Sequence, residues 1–535
     1  MKRRILMIVL ALVGLTSAVQ FFAPAQAQAF PGFARKYNFP CTFCHIAWPK
    51  LSDQGNYFHD RGFMLSTTGR GNGLDMMAFQ PTNQNYWPIA WRTTVGYTGS
   101  FVNGVAGSAN GSNANGGFAG TGATANIDFL SGGLLNSYTS WWLVPTLAPG
   151  ATAGGVPSFQ FESAWVRFDN IFNTSWLNLK VGKSAIDIPF SVHRGLQLID
   201  PYVAYDYVPG VPWISNTTTG GMGVLPGDAY YDADGFSLGT HHYNLQYFGY
   251  QFENGCGSQA GFSIDPCETR LTVSLLVNDD PYAQNTNFAG QPISAAGVTN
   301  AENGFSYWAH LTQSFGGWGA TNGERIGAFA LVGWQAPISG AGVGYSNPQT
   351  VFNREGFDLA ANPIPNGGLN IYGMFEVAQD PTGLIFPDTA VCSSCGVATQ
   401  GVEYMTWYLE ADWMPTFGGI FKTAGTGSNM ISFLYNQLNM LQQPKFAGES
   451  QQLPGNFNNV LAFDVTDRYW LWASNRSDIT LHFEYQFVLD YGVGSAVNNA
   501  GGLSGFGGGA NGTGFSDQFY NAEANNFLVG IDFAY

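Results

Sequence analysis

A strict alternation of apolar and polar side chains is the sequence feature that most limits how this chain can fold. From Ile479 to Leu489 apolar residues occupy every second position, and mostly polar residues lie between them. Similar runs cover residues 270–277, 404–413 and 527–535. Because successive side chains of a β-strand point to opposite faces, each run predicts a strand with one apolar and one polar face. Strands of about ten residues with this division are typical of a transmembrane β-barrel, so we predict an all-β fold of that kind.

The charge content distinguishes a membrane barrel from a soluble β-sandwich, which shares the alternation. Only 10% of the 535 residues are charged, against about 25% in an average soluble domain. We therefore expect the apolar and aromatic faces to contact lipid and the few charges to line the lumen. After residue 23 no uncharged apolar run approaches the ~20 residues of a spanning helix. The 36 acidic residues outnumber the 20 basic ones, and the absence of a basic patch argues against a nucleic-acid partner.

Residues 81–535 are predicted to form the barrel. About 450 residues accommodate roughly 14–18 antiparallel strands, which lies within the range of bacterial barrels. Stretches rich in Gly, Ala, Asn and Ser at Gly104–Gly122, Gly150–Val156 and Ala496–Gly514 indicate flexible loops between strands.

The N-terminus carries the pattern of an export signal. Three basic residues at positions 2–4 precede the apolar run Ile5–Val19, and small residues then offer cleavage after Ala27 or Ala29. A positive stretch, an apolar stretch and small residues in this order are typical of a secretory signal peptide. We predict a signal peptide over residues 1–27 and export across the inner membrane of a bacterium.

The segment Cys41-Thr42-Phe43-Cys44-His45 has the C-x-x-C-H spacing of covalent haem c attachment. Two thiols at this spacing reach the two vinyl groups on one edge of a haem, and the adjacent imidazole can ligate the iron. The alternative is a redox dithiol or a disulfide with an accidental histidine. We predict a monohaem cytochrome c unit over residues 28–80, with a short helical pattern that opens at Trp48 and runs to about Arg61. A unit of some fifty residues buries too little core to be stable alone, so the haem or an enclosing host must complete it.

The other four cysteines form two close pairs without a following histidine. In an oxidising compartment, closely spaced cysteines between strands predict disulfides. We predict the bonds Cys256–Cys267 and Cys392–Cys395; a catalytic dithiol at the second pair is the alternative.

Residues 33–37 and 41–51, followed by Gly55, Phe58 and Gly62-Phe63, resemble the head of the fused cytochrome–porins. These are outer-membrane monohaem c-type cytochromes linked to Fe(II) oxidation. The resemblance implies a porin-like barrel in the outer membrane and a haem unit that plugs its lumen. It also implies thioether bonds at Cys41 and Cys44 and His45 as the axial ligand. The aromatic C-terminal residue, Tyr535, is similar to an outer-membrane assembly signal.

The sequence leaves the second axial ligand of the haem iron open. Methionine ligation raises the potential relative to histidine, and an acceptor of electrons from Fe(II) needs a high potential. This favours a methionine over His59, although packing explains each candidate equally well. The methionine candidates are Met64, Met76 and Met77, and the barrel portion adds His193, His241, His242, His310 and His482.

The predicted function is electron transfer across the outer membrane by one covalent haem c. The favoured donor is extracellular Fe(II), and the predicted acceptor is a periplasmic c-type cytochrome or copper protein. If the reaction is enzymatic, the chain is an iron(II) oxidase. The alternatives are a diffusion porin with an accessory haem unit and an outward conduit to an external acceptor. Lumen carboxylates that could attract cations, or simply line a pore, are Glu410, Asp412 and Glu484.

Overall fold

The protein is a closed antiparallel barrel of sixteen strands in a computed structural model. Each strand pairs with the next along the chain, and the last strand pairs with the first, which closes the barrel. The structure describes residues 33, 37, 44–47, 50–51, 53–64, 89–103, 117–148, 158–186, 196–197, 202–206, 241–253, 267–277, 305–315, 325–334, 351–361, 368–382, 398–414, 429–446, 459–473, 477–491 and 521–534.

The barrel strands are numbered in chain order. They are β1 Ile89–Asn103, β2 Gly117–Asn136, β3 Thr139–Ala148, β4 Ser158–Phe168, β5 Asn178–Ala185, β6 His241–Glu253, β7 Cys267–Val277, β8 Phe305–Ser314, β9 Arg325–Trp334, β10 Val351–Ala361, β11 Leu369–Asp380, β12 Val402–Trp413, β13 Asn429–Gln442, β14 Asn459–Ala473, β15 Asp478–Tyr491 and β16 Asn521–Ala534. Outside the barrel, Ala398–Gln400 pairs with Lys445–Phe446.

The four alternating runs lie in β7, β12, β15 and β16, as predicted, and the strand number falls within the predicted range. In β15 the polar residues from Thr480 to Gln486 are buried, whereas the apolar residues between them are partly exposed. In β16 the outward side chains Val529 and Ile531 are 45% and 46% exposed. The predicted inside-out division is therefore confirmed, since apolar side chains point outward toward lipid.

The lumen carries more aromatic residues than predicted. Trp308, Tyr372 and Tyr408 point inward and are almost completely buried. They form one apolar cluster with residues of the connection between β5 and β6, among them Tyr202 and Ala204. The described residues of this connection, 186 and 202–206, supply apolar partners for these inward aromatic side chains. The inward positions of Trp308 and Tyr372 were not predicted, whereas Tyr408 lies on the polar face of its alternating run, as its sequence position indicates.

One predicted loop is too long. The glycine-rich stretch Gly104–Gly122 was expected to be loop throughout, but β2 begins at Gly117 and pairs with β1, with Thr98 opposite Gly122. Strand pairing is made by backbone hydrogen bonds, which small side chains do not prevent. Residues 104–116 and the other two predicted loops, Gly150–Val156 and Ala496–Gly514, lie outside the described residues.

The described helices are short. Helix α1 spans Asp53–Asp60, and α2 spans Val203–Asp206. The helical pattern was predicted to open at Trp48, but Lys50–Leu51 instead forms a short antiparallel pair with His45–Ala47. Backbone pairing in this hairpin outweighs the local helical pattern. No helix within the described residues is long and apolar enough to cross a membrane.

The two ends of the barrel differ in their connections. We call the end at which β1 begins and β16 ends the turn end, and the opposite end the loop end. Turn-end connections include residues 137–138 and 474–477, whereas loop-end connections include 186–240, 278–304 and 492–520. Bacterial barrels have short periplasmic turns and longer extracellular loops, so the turn end corresponds to the periplasmic side.

A charge on the outward face tests the orientation of the strands. Val529→Arg places a guanidinium near the middle of β16, where lipid contact should cost about 2–4 kcal/mol of folding free energy. Phe172→Arg is the matched control, because Phe172 is 88% exposed in a turn-end connection. Urea-dependent unfolding in liposomes should separate the two variants; equal stability would contradict the assigned faces.

Candidate functional site

We call the described residues between 44 and 64 the head. Its first element is the hairpin in which His45 lies opposite Leu51 and Ala47 lies opposite Lys50. His45 is 8% exposed. The hairpin therefore fixes the backbone of the predicted axial ligand beside Lys50.

Helix α1 packs directly on Cys44. A side chain at Gly55 would clash with the carbonyl oxygen of Cys44, so the helix can approach this closely only with glycine there. Cys44 is a free, partly buried cysteine, and burial raises the pKa of its thiol to about 12.

The C-terminus of α1 is closed by a Schellman motif. The backbone N–H of Gly62 donates to the carbonyl of His59 at 3.0 Å, and that of Phe63 donates to Phe58 at 2.9 Å. Gly62 has φ 66°, the left-handed conformation that this motif requires and that glycine adopts without strain. The rings of Phe58 and Phe63 lie 5.7 Å apart, which supplies the apolar contact that accompanies the motif.

Gly62 also marks where the head touches the wall. A Cβ in Gly62→Ala would lie 2.6 Å from both Asp169 Oδ2 and Ser140 Oγ, and the left-handed backbone adds about 1–2 kcal/mol of strain. We expect the variant to lose at least that much stability and to expose the head to protease. Gly373→Ala is the control, because its Cβ would meet no atom closer than 3.4 Å. Equal rates of proteolysis in Gly62→Ala and Gly373→Ala would contradict the contact of Gly62 with Asp169 and Ser140.

An aromatic cluster joins the head to β3 and β4. The Phe63 ring lies 5.7 Å from the Trp165 ring at an interplanar angle of 18° and 5.4 Å from the Trp142 ring. The Phe33 ring lies 4.9 Å from Phe63. Ring contacts at these distances stabilise beyond the area that they bury. Both tryptophans lie close to the turn end of their strands.

Lys50 connects the head to the opposite wall. Its Nζ lies 2.5 Å from Glu410 Oε1 and also contacts Asp412, and it sits 3.8 Å from the centroid of the Tyr372 ring. Tyr202, from the connection between β5 and β6, donates its hydroxyl hydrogen to Glu410. Lys50 and both carboxylates are almost completely buried. Head, wall and inserted connection therefore meet at one buried ion cluster.

A second ion pair holds the far end of α1. Asp60 accepts a hydrogen bond from Arg270, three residues inside β7. Arg270, Asp412 and Trp165 all lie near the turn end of their strands. The described head contacts are thus made at the turn end of the lumen.

The other predicted residues have different outcomes. Glu410, Asp412 and Glu484 face the lumen as predicted, but they are paired rather than lining open solvent, since Glu484 Oε2 lies 2.7 Å from His482 Nε2. His310 Nε2 lies 2.8 Å from Asp358. His241 and His242 begin β6, and Cys267 begins β7. The predicted residues outside the described part of the chain are Cys41, Met76, Met77, His193, Cys256, Cys392 and Cys395.

Two candidates for the second axial ligand lie in the head. Met64 is completely buried and follows Phe63 directly. The His59 side chain is 31% exposed, its Nδ1 lies 3.2 Å from Asp60 Oδ1, and its ring contacts Phe63. The donor set of the head suits a haem, because a buried imidazole adjoins a free thiol and the rings of α1 offer apolar surface. Within the described residues, no group of three or more His, Cys, Asp or Glu is arranged to hold a metal ion.

Charge is unevenly distributed among the buried residues. Of the buried charged side chains in the described ranges, 14 are Asp or Glu and 7 are Lys or Arg. An acidic interior with low-dielectric walls attracts cations and repels anions.

The wall residues that bind the head could not be predicted from the sequence. Lys50 stands in the recognised motif, but its acceptors lie 360 and 362 positions away. Tyr202 belongs to the connection between β5 and β6. Its signal in the sequence is the apolar segment at residues 202–204, which is one of several apolar segments in that connection.

The fold has solved relatives of low sequence identity. An anion-selective porin from Comamonas acidovorans is 11% identical, with a TM-score of 0.40 over 84% of this chain and 99% of that one. Salmonella typhi OmpF in complex with daunomycin is also 11% identical, with a TM-score of 0.42 over 84% and 97%. The trimer form of Vibrio cholerae OmpT is 8% identical, with a TM-score of 0.38 over 84% and 99%. No family model matches the chain, and no curated protein matches it.

The location follows from the barrel itself. Only helices and closed barrels satisfy all backbone hydrogen bonds in lipid, and the sixteen strands close without an edge. Apolar side chains cover the outward face. The protein is a porin-like β-barrel of the bacterial outer membrane.

Proposed function

We propose that this barrel transfers electrons through one haem c, attached at Cys41 and Cys44 and ligated by His45, between an extracellular donor and a periplasmic carrier. One observation supports the proposal most strongly: the head that carries Cys44 and His45 is held in the turn end of the lumen by buried contacts. A redox centre there would lie next to the periplasm and inside the outer membrane.

The bound haem would supply the one-electron chemistry, and the chain supplies its position. The hairpin and the Schellman motif hold His45 and Phe63 in the head, while Lys50 and Asp60 anchor the head to the wall. Both head candidates for the second ligand stay open: Met64 is completely buried, and the hydrogen bond of His59 to Asp60 uses Nδ1 and leaves Nε2 for the iron.

The proposal gives each partner its own side of the barrel. A periplasmic c-type cytochrome or copper protein can approach the head from the turn end. The hydrocarbon core is about 30 Å thick, so the extracellular donor must enter the lumen from the loop end. The excess of buried acids over buried bases favours a cation such as Fe(II) as that donor.

Purified protein tests the proposal directly. The absorption spectrum should show covalent haem, and stopped-flow mixing with Fe(II) should reduce it at acid or neutral pH. Zn(II) is the matched control, since it has the same charge but donates no electron. A spectrum without haem, or haem that Fe(II) leaves oxidised at every pH, would refute the proposal.

A second candidate is a diffusion porin with an accessory haem unit. Sixteen-stranded porins enclose an aqueous channel, and this barrel has that strand number. The barrel fold by itself supports this second reading, whereas the burial of inward side chains such as Trp308 and Tyr372 is what a plugged lumen would show. Planar-bilayer recordings decide, because a diffusion porin conducts ions steadily and a plugged barrel does not. The remaining alternative is an outward conduit. It predicts that pre-reduced protein is reoxidised faster by external acceptors than by periplasmic carriers.

A further inference from the structure

Four inner-wall carboxylates lie on the neighbouring strands β12, β14 and β15, and two of them contact Lys50. Strand register places Asp412, Ser432, Thr466 and Glu484 in one row across β12–β15. The adjacent row contains Glu410, Leu434 and Asp464. We call the carboxylates Glu410, Asp412, Asp464 and Glu484 the acid belt.

The acid belt is hydrogen-bonded along its length. Lys50 contacts Glu410 and Asp412, and Tyr202 donates to Glu410. Thr466 Oγ1 donates to Asp464 Oδ1 at 2.9 Å. His482 Nε2 lies 2.7 Å from Glu484.

The belt has more acids than its neighbours can neutralise. All four carboxylates are at most 3% exposed, and Lys50 is the cation that contacts Glu410 and Asp412. Asp464 interacts electrostatically with both Glu410 and Glu484. Carboxylates that share a desolvated site do not all ionise, and they titrate as coupled groups. A change of charge nearby therefore alters how many protons the belt holds.

The hairpin brings the proposed redox centre near the belt. Lys50 lies opposite Ala47, and Leu51 lies opposite His45; paired residues of antiparallel strands have Cα atoms only about 4.5–5.5 Å apart. An electron added at a haem on His45 would therefore introduce negative charge close to the Lys50 cluster.

We propose that the Glu410–Asp412 pair takes up one proton when the haem is reduced. This inference rests on the proposed function. In the balanced step, a one-electron donor such as Fe(II) is oxidised, the haem iron gains the electron, and a proton from water forms an O–H bond with a carboxylate oxygen. The buried site then gains no net charge, so reduction is easier at low pH.

Potentiometric titration of the haem over a series of pH values tests the coupling. Because the reduced state binds the extra proton, the midpoint potential should fall as pH rises. The limiting slope is about 59 mV per tenfold change in proton activity for a one-electron couple. Glu410→Gln and Asp412→Asn should each leave Lys50 with one carboxylate and flatten the slope. Asp358→Asn is the matched control, since this buried carboxylate pairs with His310 on the wall and should keep the slope.

The other titratable side chains near Glu410 and Asp412 are tested by separate variants in the same titration. Tyr202 and Tyr372 face the pair from the inserted connection and β11. Asp464 of β14 interacts with Glu410, and Glu484 of β15 interacts with Asp464, His482 and Arg468. Glu484→Gln should retain most of the slope. Haem propionates are present in every variant. A slope lost only in Glu484→Gln, or retained in both Glu410→Gln and Asp412→Asn, would overturn the inference.

Infrared difference spectra of the wild type provide a measurement that does not depend on folding of the variants. Reduction should produce a protonated carboxylic-acid band that shifts in deuterated water; its absence, or a potential independent of pH, would overturn the inference. These failures differ from failure of the proposed function, in which the spectrum shows no covalent haem.

Discussion

Replacing Cys41 and Cys44 by serine should abolish covalent haem and leave the outer-membrane barrel intact. Serine hydroxyls do not form the thioether bonds that hold haem c. Neither cysteine lies in one of the sixteen barrel strands, so the barrel should form without the two thiols. Cys392→Ser with Cys395→Ser is the matched control, because this pair has the same spacing but is followed by glycine instead of histidine.

Denaturing gels stained for haem and absorption spectra in alkaline pyridine measure the effect. The double variant at residues 41 and 44 should show no stained band and no reduction by Fe(II), while the control should keep both. Covalent haem in the first variant, or equal loss in both, would show that the C-x-x-C-H segment is not the attachment site.

Lys50→Met should produce the second large effect. The substitution leaves Glu410 and Asp412 buried against each other without their cation. Removing one partner of a buried ion pair typically costs about 3–5 kcal/mol. The head would lose its anchor on β12, so both the unfolding midpoint in urea and the closure of the lumen should change.

The unfolding midpoint in urea measures the stability of Lys50→Met, and ion conductance measures whether its lumen is open. Planar-bilayer conductance should rise in Lys50→Met if the head plugs the turn end as proposed, because the variant lacks the contact that holds the head on β12. Adding Glu410→Gln and Asp412→Asn to Lys50→Met should recover much of the lost stability, since no uncompensated charge then remains. Lys445→Met, at an exposed lysine at the loop end, is the control and should behave as wild type. An unchanged midpoint and conductance in Lys50→Met would contradict the anchoring role.

The head also shows which contacts can be predicted from neighbouring residues and which cannot. The sequence identifies Gly55, Phe58 and Gly62-Phe63 as part of a motif, but it does not show which contacts require these residues. The structure supplies those reasons: a close helix approach to Cys44, an aromatic contact, and a left-handed residue that ends α1. The Trp142 and Trp165 rings that receive Phe63 could not be predicted, because they come from strands about 80 and 100 positions further along the chain.

The sequence by itself determined the strands, their inward and outward faces and the all-β barrel. These depend on a period of two, which is a property of neighbouring residues: the pleat of β15 alone buries Glu484 and turns Phe483 outward. Low charge content then indicated lipid as the outer solvent.

Only the tertiary structure decided what fills the lumen. Register across four strands brings Asp412 and Glu484 into one row, and closure of the barrel brings Lys50 to a carboxylate 360 positions away. No local pattern encodes such pairs, because their energy depends on desolvation inside a space that exists only once the barrel has closed. The same enclosure explains why carboxylates that look like pore lining in the sequence are, in the folded chain, the partners of the head.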